Sequence, residues 1–299
     1  MPPEQQPVTI IGGGWAGIAA AVHLSRHGIP VTLIEAAEQL GGRARMVMFD
    51  DLPVDNGQHI VLGAYRNYLE LLSTIGVDEP FVLSRLPLSL TVKGKDTTVE
   101  LKAPTIPAPL HLLFAFLKAK GLSKADKIKT MLHWLKMIGH NAQPDMTVAQ
   151  LLQASGQPER VNHYLWTPLC IAALNTHPDI ASATIFQRVL RDAFMRRRAD
   201  SDILLPRYDM GRILAQPAHD WLQGKGANII TGHRVTALDT DNQRVTGIRL
   251  QDMSMQARRV IIATNPWSCA SLAKPVASLQ QLHQSLIQFD YQPIATVYL

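Results

Sequence analysis

The sequence predicts an α/β fold in which a domain begins with a parallel β-α-β unit and carries a mainly helical insert further along the chain. A short run rich in β-branched residues, Val8–Ile11, precedes a glycine-rich turn and an alanine-rich helix over Trp15–Arg26. A second apolar run, Val31–Glu35, supplies the parallel return strand, with the right-handed crossover that such units adopt. From Pro104 onward this alternation gives way to long stretches with helical spacing of Leu, Phe, Met and Trp, which predicts the insert.

The turn after the first strand has the spacing of a dinucleotide-binding site, Gly12-x-Gly14-x-x-Gly17. Gly12 permits the tight turn, Gly14 lets the backbone approach a pyrophosphate, and Gly17 allows the helix to contact the strand closely. Trp15 and Ala16 begin the helix, whose free N–H groups and partial positive charge attract phosphate. These positions are therefore predicted to bind the phosphates of a dinucleotide.

The residues after the second strand indicate which dinucleotide is bound. Glu35 ends that strand, where its carboxylate can accept hydrogen bonds from ribose hydroxyls, and Ala36 follows it. A glycine loop over Leu40–Arg45 comes next and carries Gly42 and Arg43. An arginine beside the pyrophosphate supplies bidentate neutralisation to a ligand that stays bound. The expected cofactor is therefore FAD rather than NAD.

This glycine loop with its arginine resembles the corresponding loop of the amine oxidase and phytoene desaturase superfamily of flavoproteins. Later segments are similar to those of the hydroxysqualene dehydroxylases, the squalene-associated FAD-dependent desaturases: Asp55–Ile60 with Gly63–Tyr65, Trp166–Thr176 and Ser201–Arg207. The resemblance runs from about Val8 to the last residue. It implies a Rossmann-like FAD-binding domain of the amine oxidase type with an inserted helical substrate domain. It also implies the reduction of hydroxysqualene, a triterpene, to squalene in bacterial hopanoid biosynthesis.

The pattern of elements divides the chain into segments that fit this resemblance. Residues 1–103 are the first part of the FAD-binding domain, residues 104–200 the helical insert that faces substrate or membrane, and residues 201–299 the return to the FAD-binding domain with the start of a substrate sheet. Helices of the insert are predicted over Leu110–Lys120, Lys124–Ile138, Thr147–Ala154, Pro158–Leu174 and Ala181–Arg191.

The end of the chain carries two further predictions. Leu205–Gly211 is predicted as a loop, and Ile294–Leu299 as an apolar strand that is broken off. Members of the family have a further C-terminal portion with a second FAD-contacting segment. That portion is therefore expected to be missing from this sequence.

The resemblance implies site residues beyond the turn. Gly57 and Gln58 match a segment beside the isoalloxazine ring, where a Cβ atom would clash. His59 is a candidate proton donor to the leaving hydroxyl, because imidazole titrates near neutral pH, or else it only hydrogen-bonds the backbone. Val235 either offers its backbone N–H and C=O to adenine or is an ordinary core valine. Other acids that could protonate a hydroxyl are Asp179, Asp202 and Asp209.

Composition limits the classes of partner. Two cysteines in 299 residues, Cys170 and Cys269, can build neither a disulfide scaffold nor a metal site, and they fit a reducing compartment. The net charge of +5 is not accompanied by a basic patch with interleaved aromatics, so no nucleic-acid partner is expected. The first residues lack the pattern of a signal peptide, and no apolar run is long enough to span a membrane. The expected location is the cytoplasm.

The lysine-rich part of the insert allows two interpretations. Leu112, Leu113, Phe116 and Leu117 recur at helical spacing, and lysines follow them. This pattern suits an amphipathic surface that lies on the inner face of the cytoplasmic membrane. It suits equally a helix that faces the core while its lysines extend to solvent.

Other functions also remain open. A carotenoid or phytoene desaturase-like FAD oxidoreductase has the same fold and runs the flavin in the opposite direction. A non-catalytic flavin- or lipid-binding protein needs no proton donor at all. The sequence does not identify the electron donor that would reduce FAD.

Overall fold

The structure is a computed structural model that describes residues 6–95, 97–242, 244–251 and 253–298. Its strands are β1 (Val8–Ile11), β2 (Val31–Ile34), β3 (Met46–Phe49), β4 (Leu52–Asp55), β5 (Val61–Leu62), β6 (Leu83–Leu86), β7 (Ser89–Lys93), β8 (Thr98–Lys102), β9 (Ile203–Pro206), β10 (Asn228–Ile230), β11 (Val235–Asp241), β12 (Arg244–Leu250), β13 (Ser254–Gln256) and β14 (Val260–Ile262). Its α-helices are α1 (Trp15–Arg26), α2 (Arg66–Thr74), α3 (Glu79–Val82), α4 (Leu110–Lys118), α5 (Lys124–Gly139), α6 (Val148–Ser155), α7 (Glu159–Val161), α8 (Thr167–Leu174), α9 (Ala183–Phe194), α10 (Gln216–Gly224), α11 (Pro266–Ala273) and α12 (Gln280–Leu286).

A parallel sheet with the strand order β10-β2-β1-β14 forms the half of the molecule that carries the glycine turn. Its two central strands are buried throughout, which agrees with their continuous runs of Val, Ile, Leu and Thr. The predicted bounds of β1 and α1 are confirmed. The return strand ends at Ile34, so Glu35 lies just beyond the carboxyl edge of the sheet. The predicted α/β fold is therefore confirmed.

Hydrophobic clusters cover both faces of this sheet. On one face Ile18 of α1 and Leu222 of α10 join the cluster around Ile10 of β1, and on the other Ile11 lies in one cluster with Ile248 of β12. A separate cluster holds the helical insert together and also includes Leu101 of β8. The β7–β8 hairpin therefore packs with the helices, although it precedes the predicted boundary at residue 104. The division of the chain into domains stays a prediction.

The predicted helices of the insert are confirmed with small shifts at their ends. A capping box begins α6: the Thr147 side chain accepts from the Gln150 N–H, and the Gln150 side chain accepts from the Thr147 N–H. Gly156 ends this helix in the left-handed conformation. Helix α7, a π-helical turn over Asn162–Trp166 and α8 follow without a break.

Two predictions near the end of the chain are wrong. Leu205 and Pro206 do not lie in a loop but in β9, because their backbone pairs with β6, as in the Ser84–Leu205 partners. Residues 294–298 form no strand, since they make no backbone pairing with a strand among the described residues. Leu299 lies outside the described residues. The β3–β4 hairpin is an element that sequence patterning missed.

In the part of the chain that the structure describes, no helix combines the length and the apolar character needed to cross a membrane.

Candidate functional site

In the glycine turn between β1 and α1, Gly12 and Gly17 have no room for a side chain, whereas Gly14 faces open space. Gly12 has φ +106°, and a Cβ there would lie 2.8 Å from the backbone oxygen of Ala263. A Cβ on Gly17 would lie 1.8 Å from the oxygen of Gly12, so neither position accepts a side chain. At Gly14 the nearest atom to a built Cβ is 3.8 Å away. The open space in front of Gly14 is where a ligand can approach the backbone.

The second glycine loop lies directly on this turn. The Gly41 N–H donates to the Gly13 oxygen at 2.8 Å, and Gly14 forms a parallel bridge with Gly41. Gly42 has φ +63°, and its Cβ would come within 3.0 Å of the Gly14 Cα. The two predicted glycine motifs therefore form one surface, which the exposed Arg43 borders.

The N-terminus of α1 presents free backbone donors at this surface. Gly14, the N-cap residue, makes no side-chain cap, and the first turn contains no acidic residue. The Ile18 N–H already bonds the Gly14 oxygen, so the donors ahead of it belong to Trp15, Ala16 and Gly17. Uncapped N–H groups and the partial positive charge of a helix N-terminus favour an anion.

Glu35 has a structural role that sequence analysis did not predict. One carboxylate oxygen accepts from the Gly13 N–H at 2.6 Å, and the other accepts from the Ala37 N–H at 2.9 Å. The side chain thus ties the end of β2 to the glycine turn. A carboxylate offers about four acceptor sites, so two remain for hydroxyl donors such as those of a ribose. Ala36 is exposed beside it.

Four buried polar atoms around the turn lack hydrogen-bond partners among the described residues: Trp15 Nε1, Arg45 Nε, His59 Nδ1 and Tyr68 Oη. The Trp15 and Tyr68 rings stack with centroids 4.6 Å apart, and the His59 ring lies 6.4 Å from Trp15. A buried donor left unpaired costs about 1–3 kcal/mol. A ligand with many oxygen and nitrogen acceptors would remove this cost, so these residues fit FAD.

The sequence predicts Trp15 and His59 at the site, but it does not predict Arg45 and Tyr68 as members of this group. Tyr68 is the first buried residue of α2. A buried tyrosine hydroxyl usually finds a partner, and that expectation is the signal that could have singled it out. Burial is its largest perturbation and raises the pKa of Tyr68, so the hydroxyl stays protonated as a donor.

The segment predicted to run beside the flavin ring meets the last described residues. Gly57 has φ +94°, and its Cβ would lie 3.5 Å from Thr296 Oγ1. The Tyr298 hydroxyl donates to the backbone oxygen of Asp55 at 2.7 Å. Gln58 is exposed. Thr296 and Tyr298 therefore lie beside this segment, in a stretch that forms no regular element.

Asp55 is a half-buried carboxyl in the same place. Burial raises its pKa, and the nearby charge of Asp209 adds to this, whereas the hydrogen bond from Met210 and the charge of His59 lower it. The Met210 N–H donates to Asp55 Oδ1 at 2.8 Å, which ties the end of β4 to the segment before α10.

Val235 is the candidate residue for the backbone contact with adenine. Val235 begins β11 and packs against the cluster around Ile11, two residues after His233, whose N–H donates to the Glu35 oxygen. Its backbone therefore lies near the predicted ribose site, while its partly buried side chain packs against that cluster.

The candidate acids are mostly held by cations. Asp202 is buried and pairs with Arg85 at 3.3 Å and Arg198 at 3.0 Å, and Asp209 pairs with Arg212. Asp179 is exposed beside His177. Asp202 and Asp209 are thus engaged in ion pairs with arginines, whereas Asp179 lies beside an imidazole.

The thiols are shifted toward their protonated forms. Burial raises the pKa of Cys170 to about 11 and also raises that of Cys269. Neither has the low pKa of a reactive cysteine.

An apolar cavity lies inside the helical insert. Aromatic side chains from four elements line it, namely Phe116, Trp134, Trp166 and Phe194, together with leucines from the β7–β8 hairpin. The lining is entirely apolar. Its free volume is about 40 Å³, so the cavity as it stands takes a small apolar group and offers no partner to a charged ligand.

Comparison with known proteins adds family and fold. Residues 15–299 match the family described as flavin containing amine oxidoreductase. Three proteins named hydroxysqualene dehydroxylase are 26–28% identical; that of Rhodopseudomonas palustris is 28% identical over 297 residues, covering 96% of this chain and 68% of its own. A 15-cis-phytoene desaturase of an Oncidium hybrid cultivar is 25% identical over 252 residues, covering 81% and 43%.

Solved structures show the same fold. An oxidoreductase from Methanosarcina mazei superposes with a TM-score of 0.72 at 15% identity, over 95% of this chain and 64% of that one. The chain spans 63–68% of the length of the three dehydroxylases. The predicted resemblance is confirmed, and the chain belongs to the flavin-containing amine oxidoreductase family of FAD-dependent enzymes.

Proposed function

We propose that the protein catalyses the reductive dehydroxylation of hydroxysqualene to squalene, a step of bacterial hopanoid biosynthesis. The observation that carries the proposal is the combination, in one chain, of a turn that fits FAD with an aromatic-lined apolar cavity. The apolar lining of this cavity favours a hydrocarbon group over the polar amines that other flavin oxidases accept. The names of these three relatives support the same substrate.

The residues that would hold FAD follow from the geometry of the site. The donors at the start of α1 and the open side of Gly14 would take the pyrophosphate, with Arg43 as its cation. Glu35 would take the ribose hydroxyls with its free acceptor sites, next to Ala36, and the start of β11 at Val235 would take the adenine. Gly42, Gly57 and Gln58 would line the path toward the ring.

The reaction needs a hydride, a proton and a dry site. Reduced FAD, when bound, supplies the hydride that replaces the hydroxyl. His59 would give the proton with which the hydroxyl leaves as water. Apolar and aromatic walls would exclude water and stabilise positive charge on the allylic carbon.

An anaerobic assay tests this proposal. The protein is loaded with FAD, the flavin is reduced, and hydroxysqualene and squalene are followed by mass spectrometry. We expect one squalene per reduced flavin, and a strong loss of rate with retained FAD in His59→Gln. Flavin-loaded protein that forms no squalene would contradict the proposal.

Two alternatives have distinct outcomes in the same preparation. A phytoene desaturase-like oxidase, supported by relatives of that name, would bleach oxidised flavin when a polyene is added. A non-catalytic lipid-binding protein would stay colourless after loading with FAD. Because a triterpene dissolves in lipid, we also propose a cytoplasmic location with peripheral contact to the inner face of the membrane.

A further inference from the structure

Helix α5 exposes one stripe of large apolar side chains. Ile128, Leu132 and Leu135 are 55%, 69% and 69% exposed. Their spacing of four and three residues places them on one face of the helix. Such a stripe lies on the surface instead of in the core, although Met137 and Ile138 of the same helix are buried.

Helix α4 repeats this arrangement beside it. Its exposed apolar residues have the same helical spacing: Leu110, Leu113, Phe114 and Leu117. The two helices pack together, and the Lys127 ammonium donates to the Leu117 oxygen at 3.2 Å. Both bury their other faces in one hydrophobic cluster, through residues such as Ala115 and Met137. The two stripes therefore face away from that cluster and form one outer surface, which we call the α4–α5 surface.

The positive charge of the protein is concentrated around this surface. Residues 101–144 contain seven lysines, no arginine, and Asp126 as their one acidic residue, for a net charge of +6. The whole chain has +5, so the rest has a net charge of −1. Lys124, Lys129 and Lys136 are exposed on α5 itself.

We propose that the α4–α5 surface docks on an anionic lipid bilayer, with its apolar stripes in the acyl boundary and its lysines at the headgroups. Apolar stripes flanked by lysines are what an interfacial helix requires. A second copy of the chain is disfavoured, because a symmetric pairing would bring two lysine-rich surfaces together.

The cavity of the insert lies directly behind this surface. Leu112 and Phe116 of α4 and Trp134 of α5 line the cavity from within, while their neighbours Leu113, Leu117 and Leu135 are exposed outside. Docking would thus set an apolar cavity against the lipid phase, where a triterpene dissolves. This last link rests on the proposed function, whereas the docking itself does not.

Vesicle flotation tests the docking without substrate, flavin or turnover, so it can fail independently of the proposed activity. The protein is mixed with vesicles of equimolar phosphatidylcholine and phosphatidylglycerol, or of phosphatidylcholine alone. We expect binding to the anionic vesicles, with at least about tenfold weaker binding to the neutral ones. Binding should also weaken in about 1 M NaCl, where the Debye length is about 3 Å.

Two pairs of variants separate the apolar and charged contributions. The triple change Ile128→Ser, Leu132→Ser, Leu135→Ser should lower affinity at least about tenfold. Its matched control changes the β3–β4 hairpin, Met48→Ser, Phe49→Ser, Leu52→Ser, whose side chains are 59%, 70% and 66% exposed. The triple Lys124→Gln, Lys129→Gln, Lys136→Gln should weaken binding, while the exposed control set Lys93→Gln, Lys225→Gln, Lys274→Gln should not.

Several outcomes would overturn the proposal. Wild-type protein that does not float with anionic vesicles would do so, as would equal losses in the stripe and hairpin variants. Size-exclusion chromatography provides the last check. A wild-type dimer that the stripe variant dissociates would identify the surface as a contact between two copies. All variants change exposed side chains, and unchanged circular dichroism verifies that they fold.

Discussion

The glycine turn and the α4–α5 surface lie in the two halves of the molecule and are determined in different ways. At the turn, Gly12 and Gly17 are surrounded by backbone atoms, so the chain accepts glycine and nothing larger. On α4 and α5, apolar residues of the same helix lie either in the core or in solvent. A backbone constraint is visible as a residue type at a fixed spacing, whereas burial depends on what the fold places beside a helix.

The largest expected effect comes from adding a side chain to a glycine of the turn. In Gly17→Val the new Cβ would lie 1.8 Å from the Gly12 oxygen, so the backbone must move. We expect a loss of more than about 3 kcal/mol in the free energy of unfolding, together with loss of FAD binding. Urea unfolding and flavin absorbance measure the two.

Gly224→Ala in α10 is the matched control, since a Cβ there meets no atom within 4 Å in the described part of the chain. We expect it to be neutral or to stabilise by up to about 1 kcal/mol. If Gly17→Val were as mild, the turn would not be sterically closed and the comparison would fail.

Neighbouring residues of α9 test the insert in the same way. Phe186 is fully buried, and Phe186→Ala should lower the free energy of unfolding by about 3–5 kcal/mol. Ile185 is 57% exposed, and Ile185→Ala should stay within about 0.5 kcal/mol of wild type. Chemical unfolding of both variants measures the contrast. Equal losses would mean that exposure does not separate the two faces of these helices.

Removing one unpaired hydroxyl at the turn should have a smaller effect, whose sign depends on the cofactor. Without FAD, Tyr68→Phe should be neutral or stabilising by about 1 kcal/mol, because it deletes a buried polar atom without a partner. With FAD bound, the same change should weaken cofactor affinity. Thermal unfolding with and without FAD shows both effects. A clear destabilisation of the FAD-free protein would mean that the hydroxyl already has a partner.

The smallest effect concerns the pH dependence of stability at Asp55. Burial raises its pKa in the folded state, so the folded protein holds a proton that the unfolded chain releases. The contribution of Asp55 to stability therefore falls as the pH rises from its ordinary pKa through the raised value, and then levels off. Asp55→Asn keeps an acceptor for the Met210 N–H and lacks this titration.

Unfolding free energies measured between acidic and neutral pH test this sign. The Asn variant should gain relative to wild type as the pH rises through that window. A relative gain for wild type instead would show that the hydrogen bond from Met210 outweighs burial.

Most elements and the two glycine motifs were predictable from local patterns. Strand β1 and helix α1 have their predicted bounds, and the capping pair Thr147 and Gln150 begins α6. Leu205 was misassigned because its strand depends on pairing with β6, far away in the chain. Residues 294–298 were misassigned because an apolar run forms a strand only when a neighbour shares its hydrogen bonds.

By itself the sequence determined the parallel β-α-β unit, the glycine positions and the kind of cofactor, because each follows from backbone geometry over a few adjacent residues. Only the tertiary structure decided that Glu35 ties the turn to β2, that Tyr68 and Arg45 join the site, and that Leu112 faces the core while Leu113 faces outward. These outcomes depend on contacts between segments far apart in the chain. Local patterns do not contain that information, because burial is a property of neighbours and not of the residue.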